Sequence, residues 1–106
     1  MSRPIASVSD VTIHEAYWAP VSAGEYDRRG RTVSVNLTVV DAVQARHGHE
    51  PSLITAAILA HERVHVDATR NDLPHEEERR AREAAIAAAG IEVVTHIEQV
   101  LAEAWT

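Results

Sequence analysis

Apolar side chains recur at helical spacing through the middle of the chain, and this pattern constrains the fold more than any other feature. After Pro51-Ser52, one helical face carries Leu53, Ile54, Ala57, Ile58, His61, Val64, His65 and Ala68. Asn71-Asp72-Leu73-Pro74 contains residues typical of a break. We therefore predict one long helix with an apolar face that also carries two histidines, ending before position 71.

A β-rich part precedes this helix. Val33, Val35, Leu37 and Val39 alternate with polar residues, which predicts a strand over Val33–Val40 with one buried face. Short apolar pieces between Val11 and Tyr26 predict one or two further strands. A short helix is expected over Asp41–His47, with Asp41 as its N-cap and Gly48 at its end.

Two more helices are predicted after the long one. The first covers His75–Ala89 and is rich in Glu, Arg and Ala, and Gly90 follows it as a suitable end. The second starts at Ile91 and runs nearly to the last residue. The expected fold class is α+β: a small N-terminal antiparallel β-sheet or hairpin followed by helices. The 106 residues are expected to form a single domain, 1–106.

Charge and composition exclude some functions. The formal net charge of −6 disfavours nucleic acid and anionic membranes as partners, because their phosphates would be repelled. The chain has no cysteine, so disulfides and thiolate metal sites are excluded. No signal peptide or membrane-spanning run is visible in the sequence, and a cytoplasmic location is the resulting expectation.

The segment His61-Glu62-Arg63-Val64-His65 is the main candidate for chemistry. Residues four apart on a helix project from the same side, so both imidazoles can reach one Zn²⁺. Glu62 lies roughly 100° around the helix from His61 and is placed to take a proton from a water molecule. The predicted activity is metal-assisted hydrolysis, with His61 and His65 as ligands and Glu62 as the general base.

A catalytic zinc site usually has a third protein ligand. The metzincin pattern requires histidine at position 71, where this chain has Asn71, so that class is excluded. The next helix carries Glu76, Glu77, Glu78 and Glu83. If the two helices form an antiparallel hairpin with its loop at residues 71–74, Glu83 lies level with the motif. Glu83 is therefore the preferred third ligand, and Glu78 is the reserve.

The order of these features resembles one branch of the zinc metallopeptidases. A strand, then an active-site helix with a His-Glu-x-x-His (HExxH) motif, then a Glu-bearing helix is similar to the gluzincins, and most similar to their minimal members, the minigluzincins. The resemblance covers roughly residues 31 to 90. It implies a zincin-like fold, Zn²⁺ as cofactor, a peptide or protein substrate and hydrolysis of peptide bonds. It also implies that Val33–Val40 is the strand beside the bound peptide and that His61, His65 and Glu83 hold the metal.

Some alternatives remain open at this point. A hydrogen-bond donor for the reacting carbonyl is not identified, and His75, His96, Tyr17 and Tyr26 are the candidates. One alternative is a catalytically silent or latent zincin-fold protein that acts as a binding or assembly module, with the segment before Val11 as the plug if it is latent. Another is a metal-free helical interaction domain. A second protomer or a partner protein could also complete the cleft of so small a chain.

Overall fold

The structure is a computed structural model that describes residues 3–8, 11–68 and 73–105, with the backbone alone for 3–8. Its strands precede its helices, so the predicted α+β class is confirmed. The elements in chain order are β1 Arg3–Val8, β2 Val11–Ala16, β3 Gly24–Asp27, β4 Thr32–Asn36, α1 Leu37–His47, α2 Pro51–Asp67, α3 Pro74–Ala89 and α4 Ile91–Ala104.

The four strands form a mixed sheet in the order β1-β2-β4-β3. The β1–β2 and β3–β4 pairs are antiparallel, but β2 and β4 are parallel. The prediction of a wholly antiparallel sheet or hairpin is therefore wrong. The chain leaves β2, forms β3 at the outer edge and returns between them as β4. Two reversals separate β2 from β4, so they run in the same direction, and β4 is paired along both edges.

The predicted strand Val33–Val40 is wrong beyond Asn36, where α1 begins. The Asn36 side chain is fully buried and caps the helix, because its Oδ1 accepts from the backbone N–H of Thr38 at 3.0 Å. The same oxygen accepts from the N–H of Trp18 at 3.2 Å. Asn36, and not the predicted Asp41, is thus the N-cap of α1.

The apolar core lies where the first two helices meet β4 and α4. Val35, Val39, Val43 and Ile54 have no more than traces of exposed surface. Val39 and Val43 are four residues apart, so they lie on one face of a helix. The same spacing also fits one face of a strand. In α3, the buried Ala81 and Ala85 have small side chains that permit a close approach of helices.

The predicted helices α2, α3 and α4 are present. Gly48 ends α1, as predicted, and takes the left-handed conformation. However, α2 ends at Asp67, earlier than the sequence suggests. Of the predicted break, Asn71 and Asp72 lie outside the described residues. Among the helices that the structure describes, none combines the length and the apolar character needed to cross a membrane.

Candidate metal centre

His61, His65 and Glu78 come together where the last two turns of α2 face the first turns of α3. The Nε2 atom of His61 lies 3.2 Å from Oε2 of Glu78, and Nε2 of His65 lies 2.9 Å from Oε1 of the same carboxylate. One ligand atom from each of the three residues lies within 4.8 Å of the others. The geometry therefore fits a site in which one cation is shared by two imidazoles and a carboxylate.

Each imidazole also meets a carboxylate through its second ring nitrogen. Nδ1 of His65 contacts Oε2 of Glu77, and Nδ1 of His61 lies 3.3 Å from Oε1 of Glu62. A neutral imidazole has one N–H, so it can donate to only one of two flanking carboxylates. The other nitrogen then faces a carboxylate oxygen with lone pair against lone pair, unless a second proton or a metal ion lies between them. This arrangement favours a bound cation at the Nε2 atoms.

The carboxylates of Glu77 and Glu62 can also orient the two imidazoles. A hydrogen bond from Nδ1–H leaves Nε2 unprotonated and fixes the direction of the ring, as is usual for metal-binding histidines. The hydrogen bond with Glu62 raises the pKa of His61 above its ordinary value, and the negative charges of Glu62 and Glu78 add to this against the effect of burial. The same negative field that favours a proton on His61 also favours a divalent cation.

The structure places Glu78, not the preferred Glu83, in this group. Glu83 is exposed, and its Oε1 accepts from Nη1 of Arg79 at 2.7 Å on the surface of α3. The preference for Glu83 assumed that α2 continues close to position 71. Because α2 ends at Asp67 and α3 begins at Pro74, the motif lies about one turn from the end of α2, and the level position in α3 is also about one turn from its start. Glu78 occupies that position.

Glu62 is buried although it carries a carboxylate, with 6% of its surface exposed. It is covered by β3, whose first residue, Gly24, passes directly over it. A Cβ atom at Gly24 would lie 3.0 Å from Cγ of Glu62 and 2.8 Å from Cγ2 of Ile58. The absence of a side chain at Gly24 therefore allows the edge strand to lie close to α2.

Two open grooves meet at this site. The first, here called the metal groove, has a volume of about 540 Å³ and runs between β3 and the two helices, with Tyr26 and Arg28 at its border. The second, here called the apolar groove, also has a volume of about 540 Å³. Its wall includes Val21, Ala23, Ile58, Val94, Ile97 and Leu101, and it shares Gly24, His61, Glu62 and Glu78 with the metal groove. A ligand bound at the metal could therefore extend into an apolar space.

The four residues considered as hydrogen-bond donors to a reacting carbonyl lie in different parts of the fold. Tyr26 borders the metal groove and His75 borders the apolar groove. Tyr17 is 65% exposed and donates through its hydroxyl to Oδ2 of Asp41 at 3.1 Å, and this bond raises its pKa. His96 belongs to a different cluster, with His49. Of the four, Tyr26 is the one that lines a groove together with both His65 and Glu78.

Sequence reasoning assigned no role to Gly24 and Arg28, which border the site, and it named Glu77 only as one of four glutamates in the helix that could supply a third ligand. Glu77 stands next to Glu78 in a run of glutamates, and no feature of the sequence distinguished it from the solvated charges of a helix surface. Acidic residues are also favourable in the first turn of a helix for local reasons, which further hides a functional one. No feature of the sequence indicated a role for Gly24 apart from its being a glycine.

Replacing Gly24 with alanine is expected to destabilise the protein, because its Cβ would overlap Ile58 and press on Glu62. Overpacking of this kind typically costs about 1–3 kcal/mol in the free energy of unfolding. Thermal unfolding followed by circular dichroism measures the loss. The matched control is Gly30→Ala, whose Cβ would press mainly on the exposed side chain of Asp27. Equal melting temperatures for the two variants would contradict the close approach of β3 to α2.

Comparison with known protein families, with characterised proteins and with solved structures finds no match for this chain.

Proposed function

We propose that this chain is a small zinc-dependent peptidase, with His61, His65 and Glu78 as metal ligands and Glu62 as the general base. The observation that carries the proposal is the convergence of two imidazole Nε2 atoms on one carboxylate beside an open groove. The resemblance to gluzincins and minigluzincins supports the same function, with Glu78 in place of Glu83 in the ligand set. A zincin-like fold is part of this proposal.

Zinc is the metal that best fits the donors. Two imidazoles and one carboxylate form a ligand set found in catalytic zinc sites, and three protein ligands leave a position for water or substrate. When bound, zinc would polarise a substrate carbonyl and increase the acidity of water. The carboxylates of Glu77 and Glu62 would hold the two imidazoles in the orientation that presents Nε2.

The edge strand β3 is the best-placed partner for an extended peptide. Among the described strands, none pairs with its outer edge, and residues of β3 line the metal groove. By contrast, β4, which contains most of the strand assigned this role from the resemblance, is paired with β2 and β3. A peptide added to β3 would gain backbone hydrogen bonds, whatever its sequence. Strand β1, the part of the N-terminal segment whose backbone is described, lies at the edge of the sheet opposite to β3.

The side chains around the peptide have separate tasks. Glu62 would accept a proton at its carboxylate during attack by water and donate it to the departing amine. Tyr26, at the border of the metal groove, would donate a hydrogen bond from its hydroxyl to the reacting carbonyl. The apolar groove, lined by small aliphatic side chains, would take an aliphatic side chain next to the cleaved bond.

Metal content and peptide cleavage test this function together. Protein purified without a histidine tag and supplied with zinc is expected to hold the metal and to cleave unstructured peptides beside aliphatic residues, as read by mass spectrometry. The variant His65→Ala is expected to lose the metal at this centre and all cleavage. Cleavage that persists in His65→Ala, or a parent protein that binds no zinc, would contradict the proposal.

A catalytically silent metal protein used for binding or assembly is the second candidate. The observation that favours it is the contact of Glu62 with His61, which gives this carboxylate a structural task as well as a catalytic one. Full zinc occupancy at His61, His65 and Glu78 without cleavage of any peptide in a broad library would favour this alternative.

A further inference from the structure

A second group of histidines lies at the junction of α1, the α1–α2 loop and α4. His47 is the last residue of α1, His49 follows the turn at Gly48, and His96 lies in α4. Nε2 of His49 and Nδ1 of His96 are 2.7 Å apart. The rings of His47 and His96 are stacked, with centroids 3.6 Å apart and planes within 4° of each other. The fold thus brings His96 to two histidines of which the nearer in sequence, His49, precedes it by 47 residues.

We propose that this three-histidine cluster is a second binding site for a divalent transition-metal ion, with His49 Nε2 and His96 Nδ1 as ligands. Imidazole nitrogen is a preferred ligand for zinc, copper and nickel. For metal–nitrogen bonds of about 2.0–2.1 Å at ordinary bond angles, two ligand nitrogens lie roughly 3 Å apart. The observed separation of 2.7 Å is slightly shorter than this, so the pair needs only a slight widening for both nitrogens to coordinate one ion that lies beside the line joining them.

The surroundings of the pair are compatible with a bound ion. His47 covers one face of the His96 ring and can swing to add a third nitrogen, because it is exposed at the end of its helix. Gly48 takes the left-handed conformation that turns the chain back between His47 and His49, and a Cβ atom there would meet nothing within 4 Å. The neighbouring Arg46 is paired with Glu103, which offsets its charge.

This second site would be structural. It would connect the α1–α2 loop to α4 and so stabilise the fold by binding the native state. His96 faces this cluster, whereas Val94, Ile97 and Leu101 of the same helix face the apolar groove. The inference does not depend on the proposed peptidase activity, because it concerns other residues and another part of the fold.

Zinc titration of the full chain by calorimetry, together with thermal unfolding, tests the second site. The parent is expected to bind two zinc ions, and His65→Ala is expected to retain one. Adding His49→Ala or His96→Ala to His65→Ala is expected to abolish the remaining binding and the zinc-dependent rise in melting temperature, on the order of several degrees. His65→Ala combined with His75→Ala, which removes an exposed histidine elsewhere, controls for weak binding to any imidazole.

The outcomes separate this inference from the proposed function. If His65→Ala binds no zinc and its melting temperature does not respond to zinc, the second site is overturned while the peptidase site stands. If zinc binding survives both His49→Ala and His96→Ala in the His65→Ala background, the assignment of these ligands is also overturned. Because His49 lies in a loop, its variant keeps the test usable where a change in α4 disturbs folding.

Discussion

Replacing Glu62 with glutamine is expected to lower kcat by at least about 100-fold, and by up to about 10⁴-fold, with zinc still bound at the main site. In the proposed mechanism the carboxylate accepts a proton from the attacking water, and glutamine cannot take that proton. Its amide oxygen can still accept the hydrogen bond from Nδ1–H of His61, so the orientation of that ligand is retained. Cleavage kinetics at saturating zinc, measured together with metal content, check this expectation.

Glu77→Gln is the matched control for this experiment, because Glu77 contacts His65 in the way that Glu62 contacts His61. If Glu77 only orients its ligand, its loss lowers zinc affinity by roughly 10–100-fold and leaves kcat nearly unchanged once zinc is saturating. A Glu62→Gln variant that behaves in the same way, with weaker zinc binding and normal kcat, would show that Glu62 is an orienting residue and not the base.

The sequence predicted the elements of this fold better than their boundaries. Val33 and Val35 follow a strand pattern, and Val39 continues it, yet Val39 and Val43 also lie on one face of a helix. The chain changes from strand to helix at Asn36. Its side chain forms hydrogen bonds with the backbone of Trp18, Ala19 and Ser22 as well as with its own helix. These partners are 14 to 18 residues away in the sequence, so the local pattern does not reveal the switch.

The residues of the site were also predictable only where local spacing brings them together. The two histidines and Glu62 were predictable because helical spacing alone brings them together. The third carboxylate depends on where α2 ends, and Ala68, where the backbone becomes extended, carries no sequence signal of an end. A difference of one turn in that end moves the expected partner from Glu83 to Glu78. Contacts between different elements, such as His49 with His96, leave no local pattern at all.

Glu78→Gln is expected to weaken zinc binding at the main site by at least about 100-fold, more than loss of an orienting partner typically does. The substitution keeps the size and helix propensity of the side chain and removes the charge that faces both Nε2 atoms. Competition with a chromophoric chelator measures the affinity, with His49→Ala in the background so that the second histidine cluster does not contribute.

Glu83→Gln provides the control, because it makes the same chemical change five residues further along α3. It removes an exposed contact with Arg79, of a kind worth about 0–1 kcal/mol, and is expected to leave zinc affinity unchanged. The opposite result, with strong loss in Glu83→Gln and none in Glu78→Gln, would mean that α3 meets α2 in a different register from the one described. Equal and small effects in both variants would mean that His61 and His65 hold the metal with a ligand from elsewhere. Only loss confined to Glu78→Gln agrees with a site in which one carboxylate lies between the two imidazoles.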